Sequence, residues 1–231
     1  MDTLVSYRLE GSIATITMDD QKANALSPLM LAELDAALDR AAEHKAVVVL
    51  TGRPGTFSAG FDLGVLRAGG PPAVAMFKAG FELSLRLLSF PTPVVVACTG
   101  HAIAMGLFLL QSGDYRVGAL GPYKIVANEV ALGITLPYAA VEVMRQRLTP
   151  AAFTRAALLS EPFTPEAAVA AGFLDQAVAP SEVESTAQGL ALALTKLNMN
   201  AHAASKLRVR APTLAAIRAG IDADFGAAAT G

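Results

Sequence analysis

Glu129 is the residue best suited to acid–base chemistry. It is a lone carboxylate set among Ile125, Val126, Ala127, Val130 and Leu132. An unpaired carboxylate in apolar surroundings is costly, so the placement needs a reason. Two readings stand from the residues alone. Glu129 is a shuttle that takes and returns one proton, or it sits at a strand end and points to water. Two turns suggest a second kind of chemistry. One is Phe57-Ser58-Ala59-Gly60-Phe61-Asp62-Leu63, and the other opens the stretch Thr99 to Gly118, TGHAIAMGLFLLQSGDYRVG. Each follows an apolar, β-branched run. A strand that turns into a helix N-terminus leaves backbone N–H groups aimed at one point, which suits an anion or an oxygen about to become one.

The other reactive residue types give weaker signals. His101 lies in the second turn without an evident carboxylate partner. Ser58 and His101 suggest a hydrolase, but a third member and a nucleophile elbow are missing. Asp62 and Asp114 read as helix-cap and turn residues. Cys98 is the single cysteine, so no internal disulfide forms, and it reads as a small buried filler. Lys206, Arg208 and Arg210 read as a solvated helix face, with contact to a phosphate-bearing ligand as the sharper alternative.

The elements that must position these groups follow from periodicity. Val5–Leu9 and Ile13–Met18 alternate around Glu10-Gly11 as a hairpin. Ser27 caps a helix that Pro28 opens, with Leu31, Leu34, Leu38 and Ala41 on its buried face. Ala46–Leu50 and Pro93–Val96 read as buried strands, with Gly100 as the sharp turn after the second and Ile103–Leu110 as a helix. Gly69-Gly70-Pro71-Pro72 breaks the chain before a helix over Ala73–Leu88. Further strands are expected at Asp114–Val117, Tyr123–Ala127 and Phe173–Val178, and helices after Pro137, Pro150 and Pro165. Beyond Pro180 the chain reads as three helices, Ser181–Leu197, Met199–Arg210 and Thr213–Phe225.

Composition bounds the function class. The 231 residues are 53 % hydrophobic and 16 % charged, ample for a core. A net charge of −2 argues against a nucleic-acid partner. No run is long and apolar enough to span a membrane, and MDTLVSYRLEG lacks the pattern of a secretory leader. A cytoplasmic protein is the expectation.

Phe57-Ser58-Ala59-Gly60-Phe61-Asp62-Leu63 resembles the F-[SA]-[AS]-G-x-D-[LI] segment of the crotonase (enoyl-CoA hydratase/isomerase) superfamily. Val94 to Asp114 resembles its second signature, a strand followed by G-x-x-x-G-G-G and a helix ending near an Asp. The resemblance runs from Val5 to about Pro180. It implies an α/β fold, a spiral of ββα units over residues 1–180, with a helical assembly region over 181–231. It implies an acyl-CoA thioester as substrate, with coenzyme A as part of that substrate and no separate cofactor or metal. A homotrimer, or a hexamer built as a dimer of trimers, is the implied assembly. The two turns then supply the N–H groups of Phe61 and Met105 to the thioester oxygen. Lys22, Ala23, Ala59 and Gly60 border coenzyme A, and Phe77, Phe81 and Phe108 border the acyl chain.

Asn128-Glu129-x-x-Leu132-Gly133-Ile134 resembles the segment that carries a catalytic glutamate in hydratases and Δ3,Δ2-enoyl-CoA isomerases, and Leu136-Pro137-Tyr138 is closer to the isomerases. Hydratases carry a second glutamate where this chain has Phe108. Adding water normally uses both carboxylates, whereas moving a double bond needs one. The expectation is therefore an isomerase that shifts a 3-enoyl-CoA double bond to 2-enoyl-CoA. The alternatives are a hydratase of fatty-acid β-oxidation or a catalytically silent CoA-binding protein of the same fold. Ala104-Met105-Gly106 replaces the family's adjacent glycines, so the Met105 side chain must point away from the thioester or narrow the pocket.

Overall fold

The computed structural model of the protein describes residues 3–226. The chain opens with the hairpin β1 (Val5–Glu10) and β2 (Ile13–Met18), then α1 (Pro28–Glu43). Three units follow in which two strands lead into helix. The first is β3 (Val47–Thr51), β4 (Gly55–Ser58), α2 (Leu63–Ala68) and α3 (Gly70–Ser89). The second is β5 (Val94–Cys98), β6 (Gly100–Ile103) and α4 (Met105–Gln111). The third is β7 (Tyr115–Ala119), β8 (Ile125–Val126), a single 3-10 turn over Val130–Leu132 and α5 (Tyr138–Arg145). Then come α6 (Pro150–Leu159), α7 (Pro165–Ala171), β9 (Gln176–Val178), α8 (Val183–Leu194) and α9 (Met199–Phe225).

The first strand of each unit enters a six-stranded sheet of order β1-β2-β3-β5-β7-β9, and the second enters a three-stranded sheet of order β4-β6-β8. All pairings are parallel except β1 with β2. This is the ββα spiral. A parallel sheet covered on both faces reads as unbroken apolar runs, and alternate residues of those runs go to opposite sides. Val48, Leu50, Val94 and Val96 join the main core with α1, α3 and α4. Val47, Val49, Val95 and Ala97 join a second core against Val183, Ala187 and Ala191 of α8. Helix α9 lies across α3 and α5. Residues 227–231, the end of the stretch expected to serve assembly, lie outside the described residues. Among the described residues no helix is long and apolar enough to cross a membrane.

Five local expectations are corrected. Gly100 is not the turn: it begins β6, and the chain reverses at Ala104, where φ is 49° and ψ −123°. Gly69 does break the chain, but Pro71 and Pro72 belong to the first turn of α3, where a missing N–H costs nothing. Phe173–Asp175 precedes β9 and is not strand. Met199 to Phe225 is one helix running through Pro212. The Lys206 cluster is not a solvated face either. Lys206 is buried and its Nζ donates to Asp114 Oδ2 at 2.7 Å, while Arg210 Nη1 lies 2.8 Å from Asp114 Oδ1. Asp114 also accepts the Val94 N–H at 2.8 Å, so it is a turn residue that ties α9 to the sheet. Arg208 is exposed.

Candidate active site

The three strands of the small sheet deliver the three parts of the site from their C-terminal ends. Ala59-Gly60-Phe61 follows β4, Ala104-Met105 follows β6, and Asn128-Glu129 follows β8. Because β6 lies between β4 and β8, the second turn is held between the first turn and the glutamate. The two turns interlock through glycines. A Cβ on Gly60 (φ 91°) would stand 3.0 Å from Ile103 O and 3.3 Å from Met105 N. A Cβ on Gly106 would stand 2.4 Å from Ser58 O, closer than any side chain tolerates. The backbones of the two turns therefore approach closely, which brings the Phe61 and Met105 segments together in the fold.

Among the described residues, neither the Phe61 N–H nor the Met105 N–H is donated to a loop or cap acceptor. Met105 opens α4, so its N–H has no partner within the helix. The Met105 side chain is buried toward α3, where its sulfur would lie 3.4 Å from a Cβ on Gly80, and it does not line the cavity described below. The departure from adjacent glycines thus puts the thioether in the core and out of the cavity lining.

Sequence reasoning named Lys22 and Ala23 but missed the residue that positions them. Asn24 is fully buried with φ 50°. Its Nδ2 donates to Met18 O at 3.0 Å and Phe57 O at 3.1 Å, and its Oδ1 accepts the Asp20 N–H at 3.0 Å. Ala23 O accepts the Ala59 N–H at 2.9 Å, and Ser58 Oγ donates to Asn24 O at 2.8 Å. The loop is thereby stitched to the first turn, with Lys22 and Ala23 exposed at its rim. Asp20 helps to shape the same loop. Its desolvation raises its pKa, but N–H donors from Ala25, Asn24 and Lys22 outweigh this and hold the carboxyl below its ordinary value. The available signal was an Asn flanked by alanines, since Asn tolerates the left-handed conformation.

These pieces surround a cavity of about 380 Å³ whose lining includes Ala59, Phe61, Ala104, Asn128 and Glu129. Phe77, Phe81 and Phe108 line it as well. Phe108 is buried and stacks on Phe81 with centroids 5.9 Å apart. Glu129 is only 8 % exposed, so the reading of a strand-end carboxylate in water is excluded. Its Oε2 has no hydrogen-bond partner. Burial pushes the Glu129 carboxyl up from 4.5 to about 7, against a smaller lowering by its own backbone N–H. A group titrating near neutrality is suited to both take and give a proton. Glu129 is the one ionisable side chain among the described residues lining this cavity.

The structure leaves several reactive types outside. His101 Nδ1 accepts the Lys124 N–H at 3.0 Å and its ring packs edge-on to Tyr123. Asp62 caps α2 through Gly64 N and Val65 N. Cys98 is buried, and burial pushes its thiol up to about 12. Ser58 is held by Asn24 O and accepts the Gly60 N–H. No group of three or more His, Cys, Asp and Glu side chains among the described residues is placed to hold a metal.

Comparison with known proteins agrees with this fold. Residues 8–227 match the enoyl-CoA hydratase/isomerase family. Mitochondrial enoyl-CoA delta isomerase 1 of Homo sapiens is 31 % identical over 226 residues, covering 96 % of this chain and 75 % of the relative. The structure of an enoyl-CoA isomerase from Mycobacterium tuberculosis superposes with a TM-score of 0.92 at 53 % identity, covering 96 % of this chain and 97 % of the other. A second structure of the same mycobacterial protein, under the name of a probable enoyl-CoA hydratase, gives a TM-score of 0.93 at 53 % identity and covers 96 % of each chain. The names borne by such relatives therefore do not choose between the two reactions. Motifs, spiral fold and matched span agree: the chain belongs to the enoyl-CoA hydratase/isomerase family, the crotonase superfamily, and is an enzyme of that family.

Proposed function

We propose that the enzyme is an acyl-CoA isomerase that moves a double bond from the 3,4 to the 2,3 position of an enoyl-CoA thioester. The observation that carries the reading is the single ionisable group in a mostly apolar cavity, whose other polar side chain is Asn128 and whose lining includes the buried Phe108. Ionised Glu129 removes a proton from C2. The resulting charge spreads through the dienolate to the thioester oxygen, where the N–H groups of Phe61 and Met105 receive it. Donors fixed in advance in a desolvated site are the largest single source of such stabilisation. Glu129, now protonated, returns the proton at C4. The 2,3 double bond is conjugated with the carbonyl, which makes the shift favourable. Hydration requires in addition a water held and polarised at C3, and the aromatic ring of Phe108 offers it neither acceptor nor donor.

Lys22 and Ala23 at the rim, with Ala59 and Gly60 in the turn, are the residues proposed to border coenzyme A. Phe77, Phe81 and Phe108 are proposed to border the acyl chain. An assembly of three copies, or of two trimers, is proposed with this reading. Exposed Leu192 of α8, Leu197 just after that helix, and Leu158 and Leu159 of α6 support it, since exposed large apolar side chains favour a partner. Light scattering at micromolar concentration tests the assembly.

The reaction is tested with panels of 3-enoyl-CoA and 2-enoyl-CoA. Isomerisation leaves the mass unchanged and raises the ultraviolet absorbance of the conjugated thioester. Rapid appearance of 3-hydroxyacyl-CoA, heavier by one water, overturns the isomerase and supports the hydratase. Acyl-CoA binding with neither product supports a silent binding protein.

A further inference from the structure

The cavity that holds Glu129 ends at an aromatic partition. Phe77, Ile134 and Pro137 line it and also line a second cavity of about 390 Å³ on the other side. Phe225, near the end of α9, lines only the outer cavity. Its ring stacks on Phe77, with centroids 5.8 Å apart and planes 6° apart, and on Phe81 at 6.0 Å and 16°. Both of those rings face the inner cavity. The end of α9 is anchored here. Asp224 Oδ2 accepts the Tyr138 N–H at 2.7 Å, and Tyr138 is the first residue of α5, whose free N–H and positive dipole end favour a carboxylate.

We propose that Phe225 sets the acyl-chain limit of the enzyme. By backing Phe77 it closes the apolar cavity, so that short and medium chains fit against Glu129 and a long chain meets the stack. This rests on the reading of the cavity as an acyl site. With Phe225 truncated, Phe77 loses the plate behind it and can swing into the vacated space, which joins the inner cavity to the outer one and gives a long chain a path. Phe81 stays packed on Phe108 in either case, so the region beside Glu129 keeps its shape.

The test uses two ladders of thioesters, from short to long. Affinity for saturated acyl-CoA is measured by calorimetry, and kcat/KM is measured for the matching 3-enoyl-CoA. In the wild type, affinity rises with each methylene and then stops rising at one length. In Phe225→Ala that break moves to longer chains, and the long-to-short ratio of kcat/KM rises by about tenfold or more, the scale set by one methylene in an apolar pocket. Phe225→Leu shifts the break in the same direction but less, and it carries the test if the alanine variant does not fold. A break that stays in place in both variants overturns the inference. So does an equal loss at every length, which marks Phe225 as merely structural. If the wild type binds the ladder without turnover, the isomerase reading fails while the binding break still decides the chain limit. If no acyl-CoA binds, both fail.

Discussion

Two kinds of buried charge lie in this molecule, and they are treated in opposite ways. At the corner of β7, α7 and β9, Arg116 is 1 % exposed and fully partnered. Its Nε and Nη2 donate to the two carboxylate oxygens of Asp175, each at 3.0 Å, and its Nη1 donates to Gly172 O at 3.2 Å. Arg147 Nη2 adds a bond to Asp175 at 2.7 Å. Lys206 and Arg210 close on Asp114 in the same manner. Burial pushes the pKa of Arg116 and of Lys206 down, and Asp175 and Asp114 respectively pull it back. Glu129, by contrast, has neither a cation nor a donor on Oε2. Where a buried charge fastens elements together, the fold surrounds it with partners. Where it is left bare, its proton is available for exchange. The second turn repeats the contrast, for Ala104 beside the site is held at positive φ.

The sharpest way to break this contrast is to exchange the two roles. Glu129→Gln keeps the volume and removes the proposed base. It is expected to lower isomerisation by about 10²–10⁴-fold with an unchanged circular-dichroism spectrum and intact acyl-CoA binding. A fully active variant takes Glu129 out of the mechanism. Arg116→Met does the reverse: it leaves Asp175 with Arg147 as its remaining cation and is expected to cost about 1.5–3 kcal/mol in urea unfolding. The rate per folded molecule should stay near the wild-type value, because Arg116 does not line the cavity. A loss well under 1 kcal/mol would show that the corner is not a clamp.

The legible and illegible parts of the sequence divide along the same line. Val47–Thr51 and Val94–Cys98 are readable because a strand buried on both faces must be apolar throughout. Ser27-Pro28 and Thr164-Pro165 are readable because helix starts use local side-chain chemistry. Residues resembling the family's motifs place Phe61, Met105 and Glu129, and the structure brings their three segments to one end of the small sheet. Strand β6 is not readable. It has four residues, and its pairing with Gly55–Ser58 is a long-range fact without a local pattern. The Lys206 cluster reads wrongly as a solvated face because its partner, Asp114, lies 92 residues away. Arg116 escapes notice for the same reason, although a lone cation within an otherwise buried strand is a visible anomaly.

A change of pH sharpens the comparison with a smaller effect. Glu129 titrates at about 7 in the folded protein, against an ordinary 4.5. Between these values the folded state keeps a proton that the unfolded state has released. Stability therefore falls as pH rises through this window, from no penalty below pH 4.5 to the full penalty above 7. Each tenfold change in proton affinity is worth about 1.4 kcal/mol, so the penalty is about 2–3 kcal/mol once solvent relaxation is allowed for. Glu129→Gln lacks it. The variant should match the wild type in thermal unfolding at pH 4.5 and exceed it at pH 8. Activity of the wild type should run the other way, falling below about pH 7 as the base becomes protonated. A stability difference that does not vary with pH would mean that Glu129 is solvated after all.

The smallest expected effect comes from the turn itself. Ala104 has φ 49° and ψ −123°, a conformation that L residues rarely adopt. It is kept there because the turn is held on both sides. The Ala104 N–H donates to Val126 O at 2.9 Å, and its carbonyl accepts the Leu107 N–H at 2.9 Å and the Phe108 N–H at 3.2 Å. Such a conformation costs on the order of 1–3 kcal/mol for a residue with a Cβ. Ala104→Gly removes that cost but adds about 0.5–1 kcal/mol of chain entropy to the unfolded state. The balance favours the variant by about 1 kcal/mol, seen as a rise of about 2–4 °C in Tm for a chain of this size. Its turnover should persist, since Met105 N–H depends on the hydrogen bonds around the turn and not on the methyl group. The opposing term is contact: a Cβ on Gly60 would meet the Ala104 methyl at 3.0 Å, so the methyl lies beside the first turn. A fall in Tm would show that this packing outweighs the strain, and that Ala104 belongs with the partnered residues of the fold, not with the bare carboxylate beside it.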